Sequence, residues 1–410
     1  MSEATRVARS LTSHMLGQVV GTDDGPTVVV SAGIHGNEPA GLVAVQRVLA
    51  LMPSLPLRGT MMGLAGNLGA LRTGRRFATR DLNRRWTPAE VARVMASSLD
   101  QLTDEDREQH ELLEILQPLL ANATSPITFL DLHSASGEGA PFSCMADVLR
   151  NRAIAFEIPV PVVLGLEEVV EGAMLGYLCD LGHVGVAVEG GSHLDPDTVD
   201  HHEAAIWCAL VAAGCLRAPE VPDYGAHRAR LQTACAGLPR FVEICQRYVV
   251  HKDDGFEMAP GHRNFQPVCA HEPVATDRKG PVEAGTTGLM MLPRYQGQGE
   301  DGFFVAKPTP RFWLRVSAAL RGLRLERLIT LAPGVRRNSD EPGTFLADPK
   351  IARWRTTDLF HLFGFRRACS RTDGLLVYSR RRPDRAGVRQ VSGGVRALAA
   401  AESCARLMTG

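Results

Sequence analysis

From residue 27 onward, short apolar runs alternate with longer stretches whose apolar positions recur at helical spacing. "TVVVSAG" (27–33) is β-branched and ends in glycine, which predicts a buried strand. "EPAGLVAVQRVLALM" (38–52) follows with a helical pattern and a proline in its first turn. "GTMMGLAGN" (59–67), "ITFLDLH" (127–133), "IPVPVVLG" (158–165) and "VGVAVEGG" (184–191) predict further strands. Residues 88–121 predict helix, with "DEDREQHE" as a solvated face, and 197–216 predict another helix. Strands alternating with helices imply an α/β fold with a mixed, mostly parallel sheet flanked by helices.

The pattern changes after about residue 235. Short apolar runs are then separated by Gly, Pro and Asp turns, which predicts a smaller β domain. From about 310 an Arg-rich stretch begins, with a helix-like "RFWLRVSAALRGLRLERLI" and a strand-like "GLLVYSRRR". The expected division is an α/β domain at 1–235, a small β domain at 236–309 and a basic α+β C-terminal extension at 310–410.

Composition adds exclusions. Lys+Arg and Asp+Glu both number 45, so the net charge offers no argument for nucleic acid. The charge is uneven, since residues 311–410 hold 20 basic and 8 acidic side chains. That region presents either a differently charged surface or a docking element for an acidic partner or subunit. The nine cysteines are scattered without C-x-x-C, which argues against zinc ribbons and thioredoxin-like motifs and fits a reducing cytoplasm. No secretory signal and no apolar run long enough for a bilayer is evident, so a cytoplasmic chain without membrane contact is expected.

Four polar clusters sit at or between the predicted strand ends. "GIHGNE" carries His35 and, three residues on, Glu38. "FLDLHS" carries His133 at another strand end, with Asp131 two residues earlier on the same side. In an open α/β sheet, carboxyl ends of parallel strands face one crevice, so these groups can meet there. Imidazoles and carboxylates with one open position suit catalytic zinc. "RRFATRDLNRRW" puts Asn83 beside Arg84, a pair able to grip a carboxylate. "VEGG" ends a strand with Glu189, a candidate base beside a metal-bound water. Alone, the His35–Glu38 pair is equally readable as an ordinary turn, His133 as a strand terminus, the Asn83–Arg84 stretch more readily as a solvated loop and Glu189 more readily as a structural strand end.

As a set, "GIHGNE", "DLNR", "DLHS" and "VEGG" resemble the succinylglutamate desuccinylase/aspartoacylase family, a branch of the zinc carboxypeptidase-like hydrolases. The resemblance covers roughly residues 25–305. It implies one Zn2+ per chain held by His35, Glu38 and His133, with Glu189 as general base. It further implies that Arg76 polarises the scissile carbonyl, that Asn83 and Arg84 grip a substrate carboxylate, and that Tyr295 reaches the pocket from the second domain. The implied activity is zinc-dependent hydrolysis of the amide of a small N-acyl amino acid or acylated amine. A metallocarboxypeptidase and a non-catalytic binding member are the competing readings. A small-molecule partner and a homo-oligomer are expected.

One departure stands out. Aspartoacylase-type members carry an arginine about ten residues before the catalytic Glu, for a second substrate carboxylate. Here residues 153–216 hold no Lys or Arg and ten acids. If part of this window lines the pocket, a dicarboxylate meets repulsion, and the substrate's side group is expected to be neutral or cationic. His201-His202 reads as an exposed or first-turn histidine pair in preference to a metal pair, and His193 as a possible neighbour of the site.

Overall fold

Alternating burial on two faces explains the main sheet. In the computed structural model, which describes residues 2–323, 325–352, 356–371 and 373–381, Val28 and Val30 pack into one core while Val29 packs into another. Leu130 and Leu132 likewise face one side and Phe129 the other. A strand buried on both faces needs an uninterrupted apolar run, which is what "TVVV" and "ITFL" supply. Each such side chain taken fully out of water contributes about 1.5–3 kcal/mol.

The strands of this sheet and its neighbour, in chain order, are β1 (Met15–Val20), β2 (Asp23–Ala32), β3 (Arg58–Ala65), β4 (Thr128–Ala135), β5 (Phe142–Cys144), β6 (Val162–Leu164), β7 (Val184–Ser192), β8 (Phe241–Val249), β9 (Glu257–Met258), β10 (Pro267–Val268), β11 (Pro273–Asp277), β12 (Gly280–Glu283), β13 (Gly288–Met291) and β14 (Asp301–Pro308). Eleven of them form one sheet in the order β1-β3-β2-β4-β7-β5-β6-β8-β14-β13-β10. The β3-β2-β4-β7 centre is parallel, while β5 and β14 each run antiparallel to a neighbour. The fold is thus mixed α/β, with helices Ala40–Leu51 and Asp197–Ala213 on one face and Pro88–Ala96 and Asp104–Ala121 on the other. Gly41 lets the first of these helices lie close to the sheet, because a Cβ there would stand 2.8 Å from Leu132 Cβ and 2.9 Å from Ala32 Cβ.

The segment from 236 to 309 does two things. Four of its strands extend the main sheet, while β12-β11-β9 form a three-stranded sheet with a separate core around Val274, Val282 and Met290. Beyond it, helix Arg311–Gly322 and a four-stranded sheet surround a further core of Phe345, Phe360, Phe363 and Phe365. The strand expected in "GLLVYSRRR" spans Leu376–Ser379, and residues 382–410 of the basic extension lie outside the described residues.

Buried ions tie this C-terminal unit to the main sheet. Asp147 accepts from Arg152 at 2.7 and 3.0 Å and from Arg366 at 2.8 Å, and its backbone carbonyl accepts from Arg321 at 2.8 Å. Arg366 also donates to Glu168 at 3.1 Å and Glu243 at 2.8 Å. Burial alone would raise the Asp147 pKa, but Arg152, Arg366 and Arg321 together hold it well below the usual carboxylate range.

Candidate metal centre and active site

Strand register brings the polar clusters together. β2 pairs with β4 so that Ser31 lies beside Asp131, and β4 pairs with β7 so that His133 lies beside Glu189. β2 ends at Ala32, and the following turn carries His35 and Glu38 to the same edge. Glycine is required in this turn, since a Cβ on Gly36 would come within 2.1 Å of the Ala70 backbone.

At that edge, ligand atoms of His35, Glu38 and His133 all lie within 4.8 Å of one another, and all three residues are buried. Glu38 stands between the rings. Its Oε1 is 2.9 Å from His35 Nδ1 and its Oε2 is 3.0 Å from His133 Nδ1. The opposite ring nitrogens are also held by carboxylates. His35 Nε2 donates to Asp81 at 3.2 Å, and His133 Nε2 donates to Asp131 at 2.9 Å. Ser31 Oγ in turn donates to Asp131 at 2.7 Å.

This donor set fits a metal ion. An imidazole donating from both nitrogens must be charged, and two such cations around one carboxylate are costly to bury. A cation among the two Nδ1 atoms and Glu38 removes that demand, because each Nε2–H stays on its carboxylate and each Nδ1 offers a lone pair. A ring nitrogen anchored by a carboxylate is the usual support of a metal-binding histidine. The electrostatics agree. Burial would raise Glu38, yet His35 and His133 hold its pKa well below the ordinary value. Burial would lower His133, yet Asp131 and Glu38 hold it well above the ordinary value.

Arg76 and Asp81 close the next layer. Arg76 donates to Asp81 Oδ2 through Nε at 3.2 Å and Nη2 at 3.0 Å, and to Glu38 Oε1 at 3.3 Å. The loop bearing both residues is organised from behind by Glu105. That carboxylate accepts from Ala78 N at 2.6 Å, Thr79 N at 3.1 Å, Thr79 Oγ1 at 2.6 Å, Arg80 N at 3.1 Å and Asn67 Nδ2 at 3.2 Å. Glu105 belongs to the "DEDREQHE" stretch expected to be solvated. Instead Glu105, Asp106 and Gln109 are buried: Glu105 accepts from the loop's backbone N–H groups, Asp106 accepts from Arg93 at 2.7 Å, and Gln109 donates to Arg85 O at 2.8 Å.

Glu189 lines the same cavity as His35, Glu38, His133 and Arg76. Its Oε2 is buried and makes no hydrogen bond within the described residues. Burial raises its pKa to about 7, with Glu38 adding to the rise and His133 opposing it.

With this geometry in hand, the sequence match is decisive. A family model described as the succinylglutamate desuccinylase/aspartoacylase catalytic domain matches residues 24–201. Residues 24–201 thus form a domain of the succinylglutamate desuccinylase/aspartoacylase type. His35, Glu38, Arg76, Asn83, Arg84, His133 and Glu189 all fall inside the matched stretch, and Tyr295 falls outside it. Succinylglutamate desuccinylase from Yersinia pestis (strain Pestoides F) is 33% identical over 118 residues. That alignment takes in 27% of this chain and 32% of the relative, so the chain spans about a third of the length of the curated relatives it matches. Among solved structures, succinylglutamate desuccinylase/aspartoacylase from Rhodobacter sphaeroides superposes with a TM-score of 0.52 at 20% identity, over 71% of this chain and 88% of the other. The product-bound ectoine utilization protein EutE (DoeB) from Ruegeria pomeroyi gives a TM-score of 0.50 at 20% identity, over 71% and 87%. At this identity the two structures speak for the family fold alone.

The remaining residues highlighted by the family resemblance are distributed unevenly. Asn83 and Arg84 line the cavity. Asn83 Oδ1 accepts from Met174 N at 2.9 Å, and Arg84 donates to Asp301 at 3.1 Å. Tyr295 does not join them. It is 40% exposed and lines a neighbouring cleft, with its hydroxyl donating to Ala259 O at 2.7 Å and accepting from His262 N at 2.8 Å. The second segment reaches the cavity through Leu292, Pro293, Arg294, Gln296 and Gly299 instead. Gln296 Oε1 accepts from Asn37 Nδ2 at 2.7 Å, and Gln298 Oε1 accepts from Arg76 N at 3.1 Å, so this segment covers the metal-site turn and its loop.

His193 borders the site at one remove, with Nδ1 2.7 Å from Ser134 Oγ and Nε2 3.2 Å from Asn37. His201 and His202 are buried, which corrects the exposed alternative, and they follow the first turn of helix Asp197–Ala213. Both serve the ends of β4 and β7: His201 Nδ1 donates to Gly190 O at 2.7 Å and His202 Nε2 donates to His133 O at 2.8 Å. A strand-end carbonyl lacking a ladder partner needs such a donor, and Gly190 leaves room for it, since a Cβ there would be 2.5 Å from His202 Nε2.

Proposed function

We propose that the protein is a zinc-dependent amidohydrolase, with one zinc per chain, that cleaves the amide of a small N-acyl amino acid or related acylated amine. The observation that carries this reading is the Glu189 carboxylate, with one buried oxygen unpartnered among the described residues, on the cavity shared by the His35–Glu38–His133 cluster. A metal-binding module without chemistry has no use for a second acid with such an oxygen there.

Zinc held by His35, Glu38 and His133 supplies Lewis acidity toward the carbonyl and acidifies water. Glu189 takes the proton of the attacking water and returns it to the departing amine. Arg76, fixed by two bonds to Asp81, presents its guanidinium to the oxygen that gains charge. Asn83 keeps its amide nitrogen as a donor for a substrate carboxylate, because its oxygen is taken by Met174 N. Arg84 shares that role while one nitrogen stays on Asp301. On the second-segment side we assign substrate contact to Arg294 and Gln296, which line the cavity, in preference to Tyr295.

The test is turnover of an N-acyl amino acid panel by metal-loaded protein, repeated with Glu189→Gln. Hydrolysis that is lost with the variant supports the reading. Equal hydrolysis by both proteins refutes it.

A further inference from the structure

The cavity does not end at the metal cluster. It continues along β7 toward helix Met174–Asp180, and its character changes there. Gly185, Ala187 and Glu189 lie on one face of the strand at period two, so two small residues open a recess beside the candidate base. Met145, Leu166, Val170 and Leu175 supply further walls. Among the described lining residues between 144 and 187, Glu167 is the one charged side chain, and it is an acid. The arginine-free window of the sequence therefore does form a wall of the cavity.

The arginines that do line the cavity are held on the other rim, next to residues 294–301. Arg76 is engaged by Asp81 and Glu38, and Arg84 by Asp301. Arg294 donates to Gly299 O at 2.6 Å and lies over the Phe256 ring at 5.1 Å. A further cation, Arg381, packs against the helix that walls the recess, but it does not line the cavity and is engaged by Gly176 O at 2.6 Å and Asp180 at 2.7 Å.

We infer that the recess between β7 and helix Met174–Asp180 is a specificity subsite for an uncharged, apolar substituent flanking the scissile amide, and that it disfavours a carboxylate there. This rests on the amide-hydrolase reading above. The whole cavity, metal end included, measures ≈ 180 Å³. An apolar cavity of about 150 Å³ accepts a benzene-sized group, so the recess, as one part of this volume, holds a short chain of about two to four carbons beside the amide. A carboxylate in the same place would exchange water for aliphatic walls and face Glu167. The substituent comes from the acyl group or from the amine, and two substrate series separate these sources.

The experiment measures kcat/KM for N-acylglycines from acetyl to hexanoyl with succinylglycine, and for N-acetyl amino acids of increasing apolar side chain with N-acetylaspartate. One series should rise by roughly fourfold per methylene until the recess is full. Its carboxylate-bearing member should fall at least about tenfold below the apolar member of similar length. Ala187→Leu should abolish the gain with chain length, and Leu175→Ala should extend it to longer chains. Opposite shifts in the two variants cannot come from general destabilisation. Carboxylate-bearing substrates that match or exceed apolar ones in both series overturn the inference. Thermal protection by pentanoate, butylamine, succinate and aspartate gives a readout without turnover. Failure to hydrolyse any amide, with pentanoate or butylamine still protecting wild type but not Ala187→Leu, would sink the hydrolase reading and keep the apolar subsite. Protection by succinate or aspartate alone would sink the subsite as well.

Discussion

Replacing Glu105 by glutamine tests whether the loop carrying Arg76 and Asp81 is built from behind. The wild-type carboxylate divides its five bonds between two oxygens. Oε1 accepts from Asn67 and Ala78, and Oε2 accepts from Thr79 N, Thr79 Oγ1 and Arg80 N. A glutamine keeps one acceptor oxygen and turns an NH2 group toward the donors of the other. The Thr79 hydroxyl can rotate to accept, but the backbone N–H groups of Thr79 and Arg80 cannot. Two hydrogen bonds to a charged acceptor are therefore lost, each worth about 1.5–3 kcal/mol before water partly replaces them. A net loss of about 2–4 kcal/mol of loop ordering follows. Limited trypsin digestion reads this directly, because the loop contains Arg75, Arg76, Arg80, Arg84 and Arg85. Cleavage in the loop should quicken by about tenfold or more, with a lower melting temperature and reduced kcat/KM but retained metal. Wild-type cleavage rates and an unchanged melting temperature in Glu105→Gln would refute the reasoning.

Two further substitutions probe separate layers. Asp131→Asn should weaken metal binding by about 10–100-fold in a chelator competition assay, because His133 loses its charged anchor while Ser31 keeps a partner. Asp147→Asn should destabilise the protein by about 3–5 kcal/mol in chemical denaturation, since it removes the buried charge that faces Arg152 and Arg321, while Arg366 keeps Glu168 and Glu243. The Asp147 pKa is depressed in the folded protein, so its contribution is present above the unfolded carboxylate value, about 4, and is lost as pH falls through the folded value. Acid unfolding should therefore be shallower below about pH 4 in the variant than in wild type.

The convergence of the candidate site residues was legible because several of them close predicted strands. His35, His133 and Glu189 each follow an apolar run, and parallel strands deliver their ends to one edge. What escaped was anything joined only through space. Asp81 was visible within "DLNR", but its bond to His35 crosses 46 positions and leaves no periodic trace. Glu105 looked like one acid in a charged helix, because composition cannot distinguish a solvated carboxylate from one that caps a loop. The turn-rich texture after 235 predicted strands correctly, yet four of them continue the main sheet, since edge pairing is decided by neighbours the pattern does not name. Tyr295 and Arg294 are adjacent in sequence and face different cavities, a distinction set by local backbone direction.

The central claim is that a metal held by His35, Glu38 and His133 works together with a separate base, Glu189. One paired measurement tests it most directly: bound metal per chain and amide turnover, determined on the same preparations of wild type, Glu189→Gln and His133→Ala. The account predicts one equivalent of zinc in wild type and in Glu189→Gln, with turnover of the latter lowered by about 10²–10⁴-fold, and loss of both metal and turnover in His133→Ala. Metal-free wild type that still hydrolyses the amide, or Glu189→Gln that retains full turnover, would contradict it.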